Sequence, residues 1–100
     1  MKAGIKPLDA THSAPLAVHD HAVIEEFADA LWMERGLSEN TLLAYRTDLH
    51  GLAVWLAGQA SDLQGANRAQ LLGYLAQRVR VGIRPRSTAR LLSSLRRFYQ

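Results

Sequence analysis

Arg86, Arg90, Ser93 and Arg97 are spaced at offsets of four, seven and eleven from the first of them. At about 100° of turn per residue they fall within a narrow arc on one helical face. Guanidinium groups in a row present planar N–H forks that fit phosphate oxygens or the edge of guanine. Short hydroxyls fill the gaps between such forks, and Ser87, Thr88 and Ser94 lie in the same segment. The chemistry this stripe supports is the binding of a polyanion. An ordinary solvated helix mixes charge signs at i±4, whereas this segment carries no acid at all. On the opposite side, Leu91, Leu92, Leu95, Phe98 and Tyr99 form an apolar stripe expected to face a core. Tyr99 is therefore expected to pack rather than to act as a nucleophile. Arg96 lies off the centre of the basic stripe and is expected to face a neighbouring element.

The wider charge distribution sharpens that reading. The net charge of +3 conceals two unlike halves. Through Asp62 there are nine acids and four bases, a net of −5; beyond it there are eight arginines and no acid, a net of +8. A base composition rich in G and C would favour Arg over Lys, but would not remove acids. Such polarity calls for a negatively charged partner on one side of the molecule. Other classes are excluded. No stretch approaches the ~20 apolar residues that span a bilayer. The N-terminus has Lys2 and Lys6 but no apolar h-region, so no signal peptide is expected. The absence of cysteine removes disulfides and thiolate metal sites and fits a cytoplasmic setting. Of His12, His19, His21 and His50, only His19-x-His21 resembles a ligand pair, and no third ligand adjoins it in sequence. No metal and no cofactor are expected. Neither His-x-x-Arg, nor a Ser/His/Asp set, nor a plausible carboxylate pair is present, so no residue is expected to be catalytic.

These side chains require helices to hold them. Residues 1–19, with Gly4, Pro7 and Pro15 and no periodicity, are expected to be a flexible arm before a domain spanning 20–100. Asp20 is a plausible N-cap for a first helix over about 20–35, with Ile24, Phe27, Ala28 and Leu31 buried and Gly36 as its stop. Ser38 caps a second helix over about 39–57, whose stripe is Leu42, Tyr45, Leu49, Leu52, Ala53 and Leu56. Its far side, Asn40, Ala44, Thr47 and Gly51, is small and uncharged, allowing close approach by a partner. Asn67 and Gln70 form a capping box for a third helix over about 68–81 that buries Leu71, Leu72, Leu75 and Val79. Gly82 ends it. Ser87 is the better cap for the fourth helix, although Pro85 at its first position would start it sooner. Trp32, Trp55 and Tyr74 are expected in the core. The pattern is still periodic at Gln100, so further chain is expected there. The fold class is all-α, a compact four-helix orthogonal bundle.

Two segments read together carry a resemblance. Ser38-Glu39-Asn40-Thr41-Leu42-Leu43-Ala44-Tyr45-Arg46-Thr47-Asp48-Leu49 and Ser87-Thr88-Ala89-Arg90-Leu91-Leu92-Ser93-Ser94-Leu95-Arg96-Arg97-Phe98-Tyr99, preceded by Ile24-Glu25-Glu26-Phe27, resemble the N-terminal core-binding, SAM-like domain of tyrosine recombinases. The resemblance covers about residues 20–100. It implies one half of a C-shaped clamp on double-stranded DNA, with the second and fourth helices crossing the major groove of a recombination half-site. It further implies a following catalytic domain, absent from these residues, and partner recombinase subunits that complete a tetramer on two sites. The DNA-facing set it implies is Asn40, Thr41, Ala44, Arg46 and Thr47 with Arg86, Ser87, Thr88, Arg90, Ser93, Ser94 and Arg97. Position 47 is Thr where the family often has a second basic residue, which weakens a phosphate contact there. Three other readings stay open: a mobile-element integrase, a helical protein-interaction module with a basic face, and an RNA-binding bundle.

Overall fold

Apolar residues at helical spacing are realised as four helices. In the computed structural model, which describes the backbone from Ala14 onward and side chains from His19, these are α1 (Ala14–Arg35), α2 (Glu39–Ala57), α3 (Arg68–Arg80) and α4 (Pro85–Phe98). No strand occurs among the described residues, and the fold is all-α.

Helix α2 packs against each of the other three. The whole of its expected stripe, Leu42, Tyr45, Leu49, Leu52, Ala53 and Leu56, is buried. Ile24 of α1, Tyr74 of α3 and Leu91 and Leu95 of α4 close around Leu49, Leu52 and Leu56. A smaller cluster joins Leu31 to Leu42 and Tyr45, with Phe27 and Leu37 packed against it. Complete burial of Leu49, Leu52 and Leu56 contributes on the order of 2 kcal/mol each.

The helix ends follow local chemistry. Ser38 Oγ accepts from Thr41 N–H at 3.2 Å. The capping box forms in both directions, with Gln70 N–H donating to Asn67 Oδ1 at 2.8 Å and Asn67 N–H to Gln70 Oε1 at 3.0 Å. Gly36 and Gly82 end α1 and α3 at φ of +62° and +85°, a left-handed turn that side chains with a Cβ resist.

Five expectations are corrected. Helix α1 is already formed at Ala14, with Pro15 in the first turn, where a missing N–H has no partner to lose; residues 1–13 of the expected arm lie outside the described residues. Asp20 is consequently not a cap. It is buried inside α1, and its Oδ1 accepts from the Leu63 N–H at 3.3 Å. Burial raises its carboxyl above the ordinary range, a shift that the Leu63 hydrogen bond opposes. Ser87 does not cap α4, because Pro85 occupies the first helical position with its φ already suitable. Leu72 and Val79 are exposed, since α3 buries only Tyr74 and half-buries Leu71 and Leu75. Trp32 is likewise exposed, the α1 seam being made by Ile24, Ala28 and Leu31.

The loop between α2 and α3 is more than a connector. Leu63 is fully buried, and its carbonyl accepts from the Tyr99 hydroxyl at 2.6 Å. Phe98 stands edge-on to Phe27, with ring centroids 5.2 Å apart. The end of α4 thereby holds both α1 and the loop. Burial, reinforced by the charges of Asp20 and Asp62, pushes the Tyr99 phenol up to about 12. Its folded pKa exceeds the ordinary value of about 10, so its contribution to stability is complete below that pH and drains away as pH rises towards 12. Ultraviolet titration should show one late tyrosine ionisation near 12, absent from Tyr99→Phe.

Gly51 of α2 lies against α3 as well as at the surface. A Cβ there would stand 2.8 Å from the Tyr74 hydroxyl, so the glycine lets α3 approach α2. Gly→Ala inside a helix ordinarily stabilises by about 1 kcal/mol. Here the contact should cancel that gain in Gly51→Ala and restore it when Tyr74→Phe is added. A double-mutant cycle by urea denaturation measures the difference.

Candidate nucleic-acid interface

A groove opens where α2, the α3–α4 turn and α4 meet. Thr47, Asp48 and Gly51 line it from α2, Gln77 and Arg78 from α3, and Arg84, Ser87, Arg90 and Leu91 from the turn and α4. Its sole acid is already engaged. Asp48 is buried at the foot of the groove, where Arg90 grips it with both arms of its fork. Nη2 donates to Oδ1 at 2.7 Å and Nε to Oδ2 at 3.0 Å. The Ser94 hydroxyl, fully buried, donates to the same Oδ2 at 2.8 Å, with the Arg90 carbonyl at 3.1 Å as its other neighbour.

This arrangement changes the meaning of Arg90. Two of its five N–H donors are spent on Asp48, and its side chain remains 43% exposed. The remaining donors are turned outward in one fixed orientation, because a bidentate pair sets the plane of the guanidinium. The hydrogen bond to Asp48 raises the Arg90 pKa further, so its charge is permanent. Ser94, by contrast, is corrected: buried and occupied by Asp48, it is a brace inside the fold and has no surface to offer.

The other expected residues separate into distinct places. Thr47, Ser87 and Arg90 share the groove. Thr47 is exposed, with its hydroxyl donating to the Leu43 carbonyl at 2.9 Å. Ser93 and Arg97 lie in a neighbouring hollow with Arg35, Arg96 and Gln100. Arg97 also sits over the Tyr45 ring, 6.0 Å from its centroid, at the outer reach of a cation–π contact. Asn40 and Arg46 line a third hollow alongside Asp29, Glu39, Trp32 and Leu43, an environment less suited to phosphate. There Arg46 Nε donates to Glu25 at 2.9 Å. Thr41 accepts from the Ser38 hydroxyl at 3.0 Å at the start of α2. Arg86 is exposed, Ala44 is half-buried, and Thr88 is half-buried with its hydroxyl on the Arg84 carbonyl at 3.3 Å.

Residues 24–100 match the family described as phage integrase, N-terminal SAM-like domain. The chain belongs to this family. It is 51% identical over 81 residues to the tyrosine recombinase XerD of Yersinia pestis, covering 81% of this chain and 27% of that protein. Identity to XerD of Xanthomonas campestris pv. campestris is 49% over 85 residues, 85% of this chain and 26% of the relative. To XerD of Pseudomonas aeruginosa it is 48% over 81 residues, 81% and 27%. The chain therefore spans about a quarter of the length of the relatives it matches. No solved structure matches it.

Within this SAM-like domain, the spacing of the basic stripe did not reveal Arg78, Arg84, Arg35 or Arg96 as neighbours of the expected residues. Arg78 and Arg84 belong to the acid-free half of the sequence, which was the available signal. Arg35 stands in the acidic half and reaches its hollow through the fold alone.

The cluster predicts an asymmetry between its members. Asp48→Ala leaves Ser94 only the Arg90 carbonyl and releases Arg90, and should cost about 3 kcal/mol, the lower end for breaking a buried pair because the guanidinium is partly solvated. Arg90→Lys keeps the charge without the planar fork and should lose about 1 kcal/mol. Thermal or urea unfolding of the two variants checks the order.

Proposed function

We propose that this domain binds double-stranded DNA, as the amino-terminal half of the clamp of a XerD-like site-specific recombinase. The observation that carries the reading is the groove in which Arg78, Arg84 and Arg90 converge around one acid that is already neutralised. A surface of this kind lowers the potential for phosphate along a continuous edge, and phosphate contacts supply most of the affinity of a DNA-binding protein. Thr47 and Ser87 add short donors at the rim. Arg86, Thr88, Ser93 and Arg97 extend the surface along α4, and Thr41 and Ala44 along α2; Asn40 and Arg46 stand at its margin, where Glu25 already pairs with Arg46 and Asp29 and Glu39 oppose a phosphate contact. Arg90, pre-set by Asp48, is assigned to fixing the orientation of the domain on the duplex.

In the whole recombinase, a catalytic domain following this one would carry the strand-exchange chemistry, and none is assigned to these 100 residues. Four subunits, with a XerC-like partner alternating with this one, would exchange strands between two sites and resolve chromosome dimers in the cytoplasm. A mobile-element integrase would use the same groove, and the similarity to XerD relatives favours the former role.

Fluorescence anisotropy with a recombination-site duplex and a random duplex, repeated over increasing salt, tests the binding. Affinity should fall by about 0.9 log units per log unit of salt for each phosphate neutralised. Arg84→Ala and Arg86→Ala should weaken binding and lower that slope without changing the melting temperature. Absence of binding to either duplex at low salt would overturn the reading. A preference for duplex RNA or for an acidic protein would replace it.

A further inference from the structure

His19, Asp20 and Asp62 are brought together by the packing of α1 on the loop before α3, and one ligand atom from each lies within 4.8 Å of the others. The sequence separates Asp62 from the other two by more than the length of α2. From this geometry we propose a divalent transition-metal site, of the zinc type, that joins α1 to the α2–α3 loop.

The argument rests first on Asp20. Its residue is 1% exposed, yet Oδ2 is buried with no hydrogen-bond partner among the described residues. A buried carboxylate oxygen without a partner is costly, and the remedies are a proton, a donor or a cation. The adjoining groups favour the cation. Asp62 brings a second carboxylate, anchored because its Oδ1 accepts from the Gly65 N–H at 2.7 Å. Two carboxylates and an imidazole are acceptors in their metal-binding forms, and neither carboxylate offers the other a donor.

His19 is also held as a ligand should be. Its Nε2 lies 3.0 Å from Gln64 Oε1. When Nε2 donates to that carbonyl, Nδ1 keeps the lone pair a metal requires; a ligating histidine commonly has its other nitrogen tied in this way. One nitrogen and two oxygens suit zinc or manganese better than magnesium or calcium, which take oxygen ligands. Tetrahedral ligands on bonds of about 2.1 Å stand about 3.4 Å apart. The observed spread therefore closes by small rotations of His19, which is exposed, and Asp62, which is half-buried. Water would complete the shell on the open side.

None of the three residues lines the basic groove. The site is thus independent of the DNA reading, and its consequence is mechanical. Leu63, adjacent to Asp62, already receives the Tyr99 hydroxyl on its carbonyl and gives its N–H to Asp20. An ion here would lock α1, the loop and the end of α4 at one point.

Calorimetric titration of the chain with zinc chloride, with magnesium chloride as comparison, tests this together with thermal melting. One zinc ion should bind per chain with an affinity that magnesium does not approach, and the melting temperature should rise by on the order of 10 °C at a hundredfold excess over Kd. His19→Ala and Asp62→Asn should each weaken binding at least about tenfold, Gln64→Ala about tenfold through the freed imidazole, and His50→Ala not at all. Both ligand variants alter residues at or near the surface, and Asp62→Asn keeps an oxygen for the Gly65 turn, so folding is preserved. The proposal is overturned by no saturable zinc binding below the millimolar range. Unchanged affinity in both ligand variants, which would place the ion on the other histidines, also overturns it.

Discussion

One buried carboxylate governs how this bundle closes. Asp48 sits on the face of α2 that meets α4, where solvent cannot supply the hydrogen bonds an anion needs. Removing a carboxylate from water is expensive, and mutual attraction offsets the cost only with good geometry and satisfied lone pairs. Arg90 and Ser94, one turn apart on α4, meet both conditions at once. Because they can do so only when α4 lies at one rotation and one height along α2, the interaction selects an arrangement more than it adds stability. Leucines alone would tolerate α4 sliding by a turn, since Leu91 and Leu95 are equivalent knobs. The polar triad does not. The same contact that registers the helices also aims a guanidinium into the groove, so the surface inherits its geometry from the core.

The division of charge along the chain acquires a spatial meaning. Acids early in the sequence neutralise inward or sideways: Asp48 takes Arg90, Glu25 takes Arg46, and Asp20 is enclosed by the loop. The Arg46–Glu25 pair, a third or more exposed on both sides, contributes little to stability. Its effect is to cancel a positive charge in the hollow that Asp29 of α1 and Glu39 of α2 also line. Positive potential is left concentrated near the α3–α4 turn and along α4.

Much of this was legible from residues alone, and the reasons for the failures are specific. The bounds of α2 and the capping box of α3 are local chemistry, written in Ser38 and in Asn67 with Gln70, and the fold realises both. The family, too, follows from two segments of sequence. Asp20 misled because an aspartate before an apolar pattern has the same appearance whether it caps its own helix or accepts from a distant loop. Leu72 and Val79 misled because periodicity identifies an apolar face without saying whether a neighbour covers it; α3 has only Tyr74 deeply engaged. Ser94 and Arg90 look alike as polar members of a basic segment; both bond Asp48, and only burial separates the enclosed hydroxyl from the partly exposed guanidinium. Leu63, in a loop without periodicity, gave no signal of its burial.

The contact of Phe98 with Phe27, and of Tyr99 with the Leu63 carbonyl, has a further consequence in time. A chain leaving the ribosome can form α1 and α2 as a hairpin early, since their contacts are close in sequence. Until residues 98 and 99 emerge, however, Phe27 lacks its edge-on ring and the Leu63 carbonyl its phenol. Contacts of long sequence separation are slow to form and leave such surface exposed meanwhile. Of the four helices, α4 therefore closes its share of the core last, and a pause in synthesis upstream of it would prolong the interval in which that surface is available to chaperones or to other chains.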